Sequence, residues 1–130
     1  MNVYDALNRW DPDGFVWGRS DCCQFASYVI RELTGRDLMP WTYSSEQEAV
    51  DLIVAHGGLS QTVTAVLKRE PVAVSLLQPG DPVIWVAEQG DTFYEGLGVV
   101  LRNAFAWVSQ KSGRVGTAAL GHCRHGWRVV

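Results

Sequence analysis

The order of two hydrophobic periodicities along the chain constrains its fold most. Apolar residues recur at helical spacing in the first half and in short strand-like runs in the second. Helices are expected at residues 2–9, from a cap at Asp21 to Gly35, from Ser44 or Ser45 to Gly57-Gly58, and at 61–68. Strands are expected at 72–76, 83–87, 93–101, 104–109, 115–120 and 127–130. Helices followed by a run of strands predict an α+β fold, with N-terminal helices packed on a C-terminal antiparallel β-sheet.

Length, charge and cysteine content limit the domain number, the classes of binding partner and the cellular compartment that we expect. With 130 residues, we expect a single domain over 1–130, and a net charge of -3 gives no basic footprint for nucleic acid. No basic segment followed by an apolar run opens the chain, so no signal peptide is expected. No apolar segment approaches the roughly 20 residues that span a membrane. The three cysteines, two of them adjacent, indicate free thiols in a reducing compartment, and we expect synthesis in a cytoplasm.

The stretch GRSDCCQF combines a helix start with a doubled cysteine. Asp21 is a good N-cap, and Gln24 three residues later completes a capping-box pattern. Cys22 then occupies the first helical position, where unpaired N–H groups and the helix dipole stabilise a thiolate. Cys23 lies about 100° round the helix axis and is predicted to be a packing neighbour. The alternative is that both are buried thiols that only fill space.

A nucleophilic thiol needs a base, and two histidines near the C-terminus are candidates. His122 and His125 flank Cys123, and either reaches Cys22 if their loop folds over the helix start. A different alternative is a metal or redox module, in which these three residues join Cys22 or Cys23 as soft ligands suited to zinc. Their spacing matches no familiar ligand pattern, so we expect no metal and no other cofactor.

Three segments resemble the NlpC-type cysteine peptidases. Residues 17–25, WGRSDCCQF, are similar to the D-C-S-G-F nucleophile motif of that family. Residues 77–85, LQPGDPVIW, resemble its P-G-D segment at the start of a strand, and 96–101, GLGVVL, resemble its H-V-G-I-Y-L strand. The family has a papain-like α+β fold and cuts peptide bonds in bacterial cell-wall stems. The resemblance implies this fold here, with Cys22 as nucleophile and Asp21 beside it.

A closer resemblance is to a family of small proteins encoded among the tail-tip genes of tailed bacteriophages and prophages. The shared features are F-x-W-G-x-x-D-C-C at 15–23, Gly-Gly at 57–58, P-G-D at 79–81, L-G-V at 97–99 and W-R-V at 127–129. This resemblance implies a virion component of the tail tip or baseplate. It would be made in the host cytoplasm and bind tail-hub and baseplate proteins.

The chain differs from the peptidases at the position of the catalytic base. Gly96 stands where their strand begins with histidine, so the ordinary Cys–His dyad is missing. Without a general acid, a thiolate cannot readily protonate a leaving amine. One hypothesis is a divergent peptidase domain, with weak or lost activity, kept for tail assembly. The other is an active hydrolase that opens peptidoglycan stems during genome entry, with His125 or His122 as base.

Overall fold

The computed structural model describes all 130 residues and places helices before strands, as predicted. The helices are α1 (Val3–Arg9), α2 (Cys22–Thr34), α3 (Glu46–Ala55) and α4 (Leu59–Leu67). The strands are β1 (Pro82–Gln89), β2 (Thr92–Val100), β3 (Ala104–Val108), β4 (Val115–Ala119) and β5 (Cys123–Gly126).

The strands form one sheet in the order β4-β3-β2-β1-β5, and every neighbouring pair is antiparallel. This confirms the predicted α+β class. In the register, Leu97 of β2 lies opposite Ile84 of β1, and Ile84 lies opposite His125 of β5. The three residues therefore form a row across the sheet. Two strand spacings put the Cα atoms of Leu97 and His125 about 10 Å apart.

The two faces of the sheet have different surroundings. We call the face covered by α2 the inner face; there, Phe25 and Val29 of α2 pack with Leu97 and Val99, all fully buried. Apolar burial of this kind is the main stabilising term in folding. The outer face carries a smaller buried group, Val83, Val100 and Phe105, with Trp85 and Trp107 packed against it. Because side chains alternate along a strand, neighbouring residues of β2 point to opposite faces.

The helix boundaries follow local capping chemistry. Gly35 ends α2 with φ +77°, the left-handed conformation that glycine adopts without strain. The Ser45 side chain accepts from the Glu48 N–H and starts α3, while α4 begins at Leu59, two residues earlier than predicted. No single helix has the length and apolar character needed to cross a membrane; α3 and α4 meet that criterion only as a pair, which is bent by 69°.

Two predicted strands are wrong. Residues 72–76 form an isolated bridge at Val72 and then a 3-10 turn, Val74–Leu76, instead of a strand. The last strand covers Cys123–Gly126 instead of 127–130. Trp127 enters the inner core, fully buried, and the two N–H groups at the C-terminus bind a carboxylate instead of a neighbouring strand.

That carboxylate belongs to Asp81 of the P-G-D motif, and it is fully buried. Its oxygens accept N–H bonds from Gln78 at 2.8 Å, Val129 at 2.7 Å and Val130 at 2.9 Å. A buried carboxylate is tolerated only with such donors. Asp81 therefore closes its own turn and anchors the C-terminus, which accounts for this motif structurally.

Candidate active site

Asp21 caps α2 with a carboxylate that is 1% exposed. One oxygen accepts the Gln24 N–H at 3.0 Å and the other accepts the Gly18 N–H at 2.7 Å. The Tyr43 hydroxyl donates to the two oxygens at 2.9 and 2.8 Å. Burial, together with negative charge nearby, raises the pKa of Tyr43 far above its ordinary value. The predicted N-cap is confirmed, but the capping box is not, because the Gln24 side chain does not accept the Asp21 N–H in return. The cap also holds the segments before Cys22 in place.

Gly18, the glycine of the W-G pair before the cap, cannot be replaced by a residue with a side chain without strain. Its φ is +85°, and a Cβ there would collide with the carbonyl oxygen of Tyr43. The backbones of two segments thus touch directly in front of α2, which sets the position of the Asp21 side chain.

Cys22 is the first residue of α2 and lies half-buried against the inner core. A hydrogen bond from the Cys23 thiol, helped by a backbone hydrogen bond from Leu97, lowers the pKa of Cys22 against burial and the Asp21 charge, which raise it. The same hydrogen bond, together with burial, raises the pKa of Cys23 well above its usual value. Of the two thiols, Cys22 is therefore the one that ionises more readily, with Cys23 as its neighbouring donor.

Position 96 does not face this sulfur. Gly96 lies opposite Trp85, and a Cβ at Gly96 would collide with the Trp85 indole on the outer face. Leu97, whose side chain is in the inner core, points the other way. A histidine at position 96 would thus be directed away from Cys22. The preceding β2 residue on the Leu97 side is Glu95.

Glu95 is engaged with β5. Its carboxylate lies 3.8 Å from the guanidinium of Arg124, and both side chains are well exposed. The Arg124 guanidinium also lies 5.3 Å from the centre of the Phe93 ring, a cation–π contact. An exposed pair of this kind contributes little stability.

His125 is half-buried, and its Nε2 lies 2.7 Å from the Ser60 hydroxyl of α4. Its ring packs edge-on against Trp127, with the ring centres 5.6 Å apart. Burial and the charge of Arg124 lower the pKa of His125, so it is neutral near pH 7. The structure thus brings His125 to Ser60; no hydrogen bond joins a histidine nitrogen to the Cys22 sulfur.

The remaining candidates lie elsewhere. His122 is exposed in a 3-10 turn, Leu120–His122, before β5. Cys123 lies opposite Trp85 and packs on the outer face, where burial raises the pKa of Cys123 to about 11. All three cysteines are free, and no group of three or more His, Cys, Asp or Glu side chains is arranged to hold a metal. Cys123 and Cys22 lie on opposite faces, so the cysteines do not form one site.

Sequence reasoning missed four participants: Cys23 as a donor, the backbone of Leu97, Tyr43 on the cap, and Ser60 on His125. Only Cys23 carried a local signal, its adjacency to Cys22. The others are brought to the site by contacts between residues distant in sequence.

A solved structure, the crystal structure of the NlpC/p60 domain of the peptidoglycan hydrolase SagA, is similar to this chain. The sequence identity is 18%, the match covers 96% of this chain and 94% of that one, and the TM-score is 0.59. Likeness at this identity shows the fold, so the chain has the NlpC-like fold that the motifs predicted. No curated protein matches the chain. A family model described as "Domain of unknown function (DUF6950)" matches residues 2–129, and the chain therefore belongs to that family.

Proposed function

We propose that this chain is a phage tail-tip or baseplate component with a divergent NlpC-like domain whose peptidase activity is weak or lost. The nucleophile position is Cys22. The domain would be made in the host cytoplasm and then built into the virion against tail-hub and baseplate proteins. The tail assignment rests on the motifs at 15–23, 57–58, 79–81, 97–99 and 127–129.

One observation carries the enzymatic half of the proposal: no histidine nitrogen is hydrogen-bonded to the Cys22 sulfur, and the His125 imidazole is bonded to Ser60 instead. A thiolate can attack an amide carbonyl. The tetrahedral intermediate then expels whichever group leaves more easily, and without an acid the thiolate leaves far more easily than an unprotonated amine. The intermediate therefore returns to substrate, and peptide bonds are not cleaved at a useful rate.

Purified cell walls test this half. The protein is incubated with walls, released stem peptides are measured, and Cys22→Ser provides the background. We expect wild type and Cys22→Ser to release equally little, while an active peptidoglycan hydrolase in parallel validates the walls. Release by wild type that Cys22→Ser abolishes would contradict a weak or lost activity.

Affinity purification from infected or induced cells tests the assembly half. We expect the tagged protein to copurify with tail-hub or baseplate proteins, and the Cys22→Ser variant to do so equally, because assembly does not use the thiol. Recovery of the protein free of every virion component would contradict the tail assignment.

The second candidate is an active hydrolase of peptidoglycan stem peptides that acts during genome entry, with His125 or His122 as base. The observation in its favour is that His125 lies on the inner face in the same row as Leu97. Its imidazole would have to leave Ser60 and approach Cys22 when substrate binds. This candidate predicts stem-peptide release that is lost in His125→Gln or His122→Gln.

A further inference from the structure

We propose that Ser60 and His125 act as a serine nucleophile and its general base, and that the pair hydrolyses esters of carboxylic acids. The two residues belong to different elements, the first turn of α4 and strand β5. The inference goes beyond the proposed function, because it concerns a second pair of reactive side chains and does not use Cys22.

The first step of the argument is the contact between the two side chains. Ser60 Oγ lies 2.7 Å from His125 Nε2, the distance at which a base takes the proton of a hydroxyl nucleophile. Neither side chain makes another hydrogen bond, so the Ser60 proton has no competing acceptor. With the imidazole proton on Nδ1, Nε2 accepts the hydrogen bond from the hydroxyl and is placed to remove its proton.

The second step is that the imidazole is positioned by the helix that carries the nucleophile. Trp127 is fully buried and packs edge-on against the His125 ring, with the ring centres 5.6 Å apart. Its Nε1 donates to Thr64 Oγ1 at 3.1 Å. Ser60 and Thr64 are four residues apart and lie on the same face of α4. The base is therefore held against a buried neighbour, beside the hydroxyl that it would activate.

The charges around the imidazole suit a base. Arg124 and Glu95 are the charged groups that face His125, and burial with the Arg124 charge lowers the pKa of His125. The imidazole is thus neutral near pH 7, the form that takes a proton. No carboxylate is hydrogen-bonded to Nδ1, so the imidazolium is less stabilised than in a Ser–His–Asp triad. Esters fit this weaker acid, because an alcohol leaves more easily than an amine.

The start of α4 offers donors to an oxyanion. Its N-cap is Gly58, which provides no side-chain cap, and the N–H groups of Ser60 and Gln61 have no acceptor in the chain. Such N–H groups stabilise negative charge that develops beside them. The Gly57-Gly58 pair, a motif to which the cysteine site gives no role, leaves this helix end without covering side chains.

The reaction balances with one molecule of water. The Ser60 oxygen attacks the ester carbonyl carbon while His125 Nε2 takes its proton. The bond to the alcohol oxygen then breaks, and the imidazolium gives the proton to that oxygen, so an alcohol leaves and an acyl-serine remains. Water attacks the acyl-serine with its proton taken by the same imidazole, and the carboxylic acid leaves as Ser60 regains a proton. Nothing is oxidised or reduced.

A fluorophosphonate ester is the probe for the nucleophile, because an activated serine displaces its fluoride and keeps the phosphonyl group. The full chain is treated near pH 7 and the adduct is located by peptide mapping. We expect one adduct on Ser60, which Ser60→Ala loses and the exposed control Ser75→Ala retains. His125→Gln keeps a polar side chain but no base, so Ser60 should label at least about 100-fold more slowly.

The pH dependence separates catalysis from a hydrogen bond that only holds α4 against β5. Only the neutral imidazole takes the proton, so labelling of Ser60 should fall as the pH drops. Its midpoint should equal the NMR titration midpoint of His125, because the lowered pKa of that group governs both. 4-Nitrophenyl acetate tests turnover: we expect steady release of 4-nitrophenol that Ser60→Ala abolishes.

The outcomes separate this inference from the proposed function. No adduct on Ser60, or labelling as slow in wild type as in His125→Gln, would overturn the inference and leave the proposed function intact, since that is judged by stem-peptide release and copurification. An adduct without turnover of the acetate would overturn ester hydrolysis. Stem-peptide release that His125→Gln abolishes, with no adduct on Ser60, would assign the imidazole to Cys22. Thermal unfolding of each variant shows that folded proteins are compared.

Discussion

Replacing Cys23 with alanine removes the thiol that donates to the Cys22 sulfur, whereas replacing it with serine keeps a donor of similar size. Cys23 is 6% exposed, so water cannot readily substitute for the lost donor. A hydrogen bond to a charged group is worth about 1.5 kcal/mol, which corresponds to about one pKa unit. Cys23→Ala should therefore raise the pKa of Cys22 by about one unit, and Cys23→Ser should leave it close to wild type.

The assay is the rate of iodoacetamide labelling at Cys22, read by peptide mass spectrometry across a pH series. The midpoint of the pH–rate curve reports the pKa of Cys22 directly. Near pH 7, Cys23→Ala should label about threefold more slowly, because the tenfold loss of thiolate is partly offset by its higher nucleophilicity. Cys123 labelling should be the same in all three proteins, since that thiol lies on the outer face.

Equal midpoints in wild type, Cys23→Ala and Cys23→Ser would refute this reasoning. Cys22 would then owe its reactivity to the helix start and Leu97 alone. A midpoint that rises in both variants would mean that repacking, and not the donor, sets the pKa.

Three further predictions concern the frame around the site. Asp81→Ala removes the fully buried acceptor of three N–H groups and should lower the free energy of unfolding by about 3 kcal/mol in urea titrations. The exposed control Asp91→Ala should stay within about 0.5 kcal/mol of wild type. Gly18→Ala should lower the free energy of unfolding by at least about 2 kcal/mol in the same assay. Gly14→Ala should lower it less, because Gly14 has a similar φ of +92° but open space where the Cβ would lie. Equal losses in the two variants would contradict the collision at Gly18. Burial raises the pKa of Cys123 to about 11, so the native state favours its neutral thiol over the thiolate. The resulting contribution to the free energy of unfolding is complete below about pH 8.5 and is lost as the pH rises toward 11. Cys123→Ala should not show this loss of stability at high pH.

Local chemistry in the sequence was enough to place Cys22. Asp21 at the cap, the apolar stripe along α2 and the glycine at its end are short-range signals, and each appears in the structure as expected. The order of helices and strands followed from periodicity in the same way. These features depend on residues within a few positions of one another.

Features that depend on distant contacts could not be predicted. The C-terminus looked like a strand because its residues are apolar, but the buried Asp81 carboxylate, 48 and 49 residues earlier, takes the N–H groups that a strand would have paired. The pairing of His125 with Ser60 likewise depends on how α4 packs beside β5.

The position of Gly96 shows the same limit. Motif matching placed it where the peptidases have histidine, but the direction of a side chain on a strand depends on register. Here the register places Gly96 against the Trp85 indole on the outer face, and Leu97 against α2 on the inner face.

The most direct test of the central claim, that the Cys22 thiolate has no imidazole partner, is an NMR titration of the His125 ring in wild type and Cys22→Ser. Burial and Arg124 lower the pKa of His125, so we predict a midpoint below the ordinary value of about 6.5 that is the same in both proteins. An ion pair with Cys22 would instead raise the midpoint in wild type, and the midpoint would fall in Cys22→Ser because the charged partner is gone. A wild-type midpoint above 6.5 that falls by about one unit or more in Cys22→Ser would contradict the account.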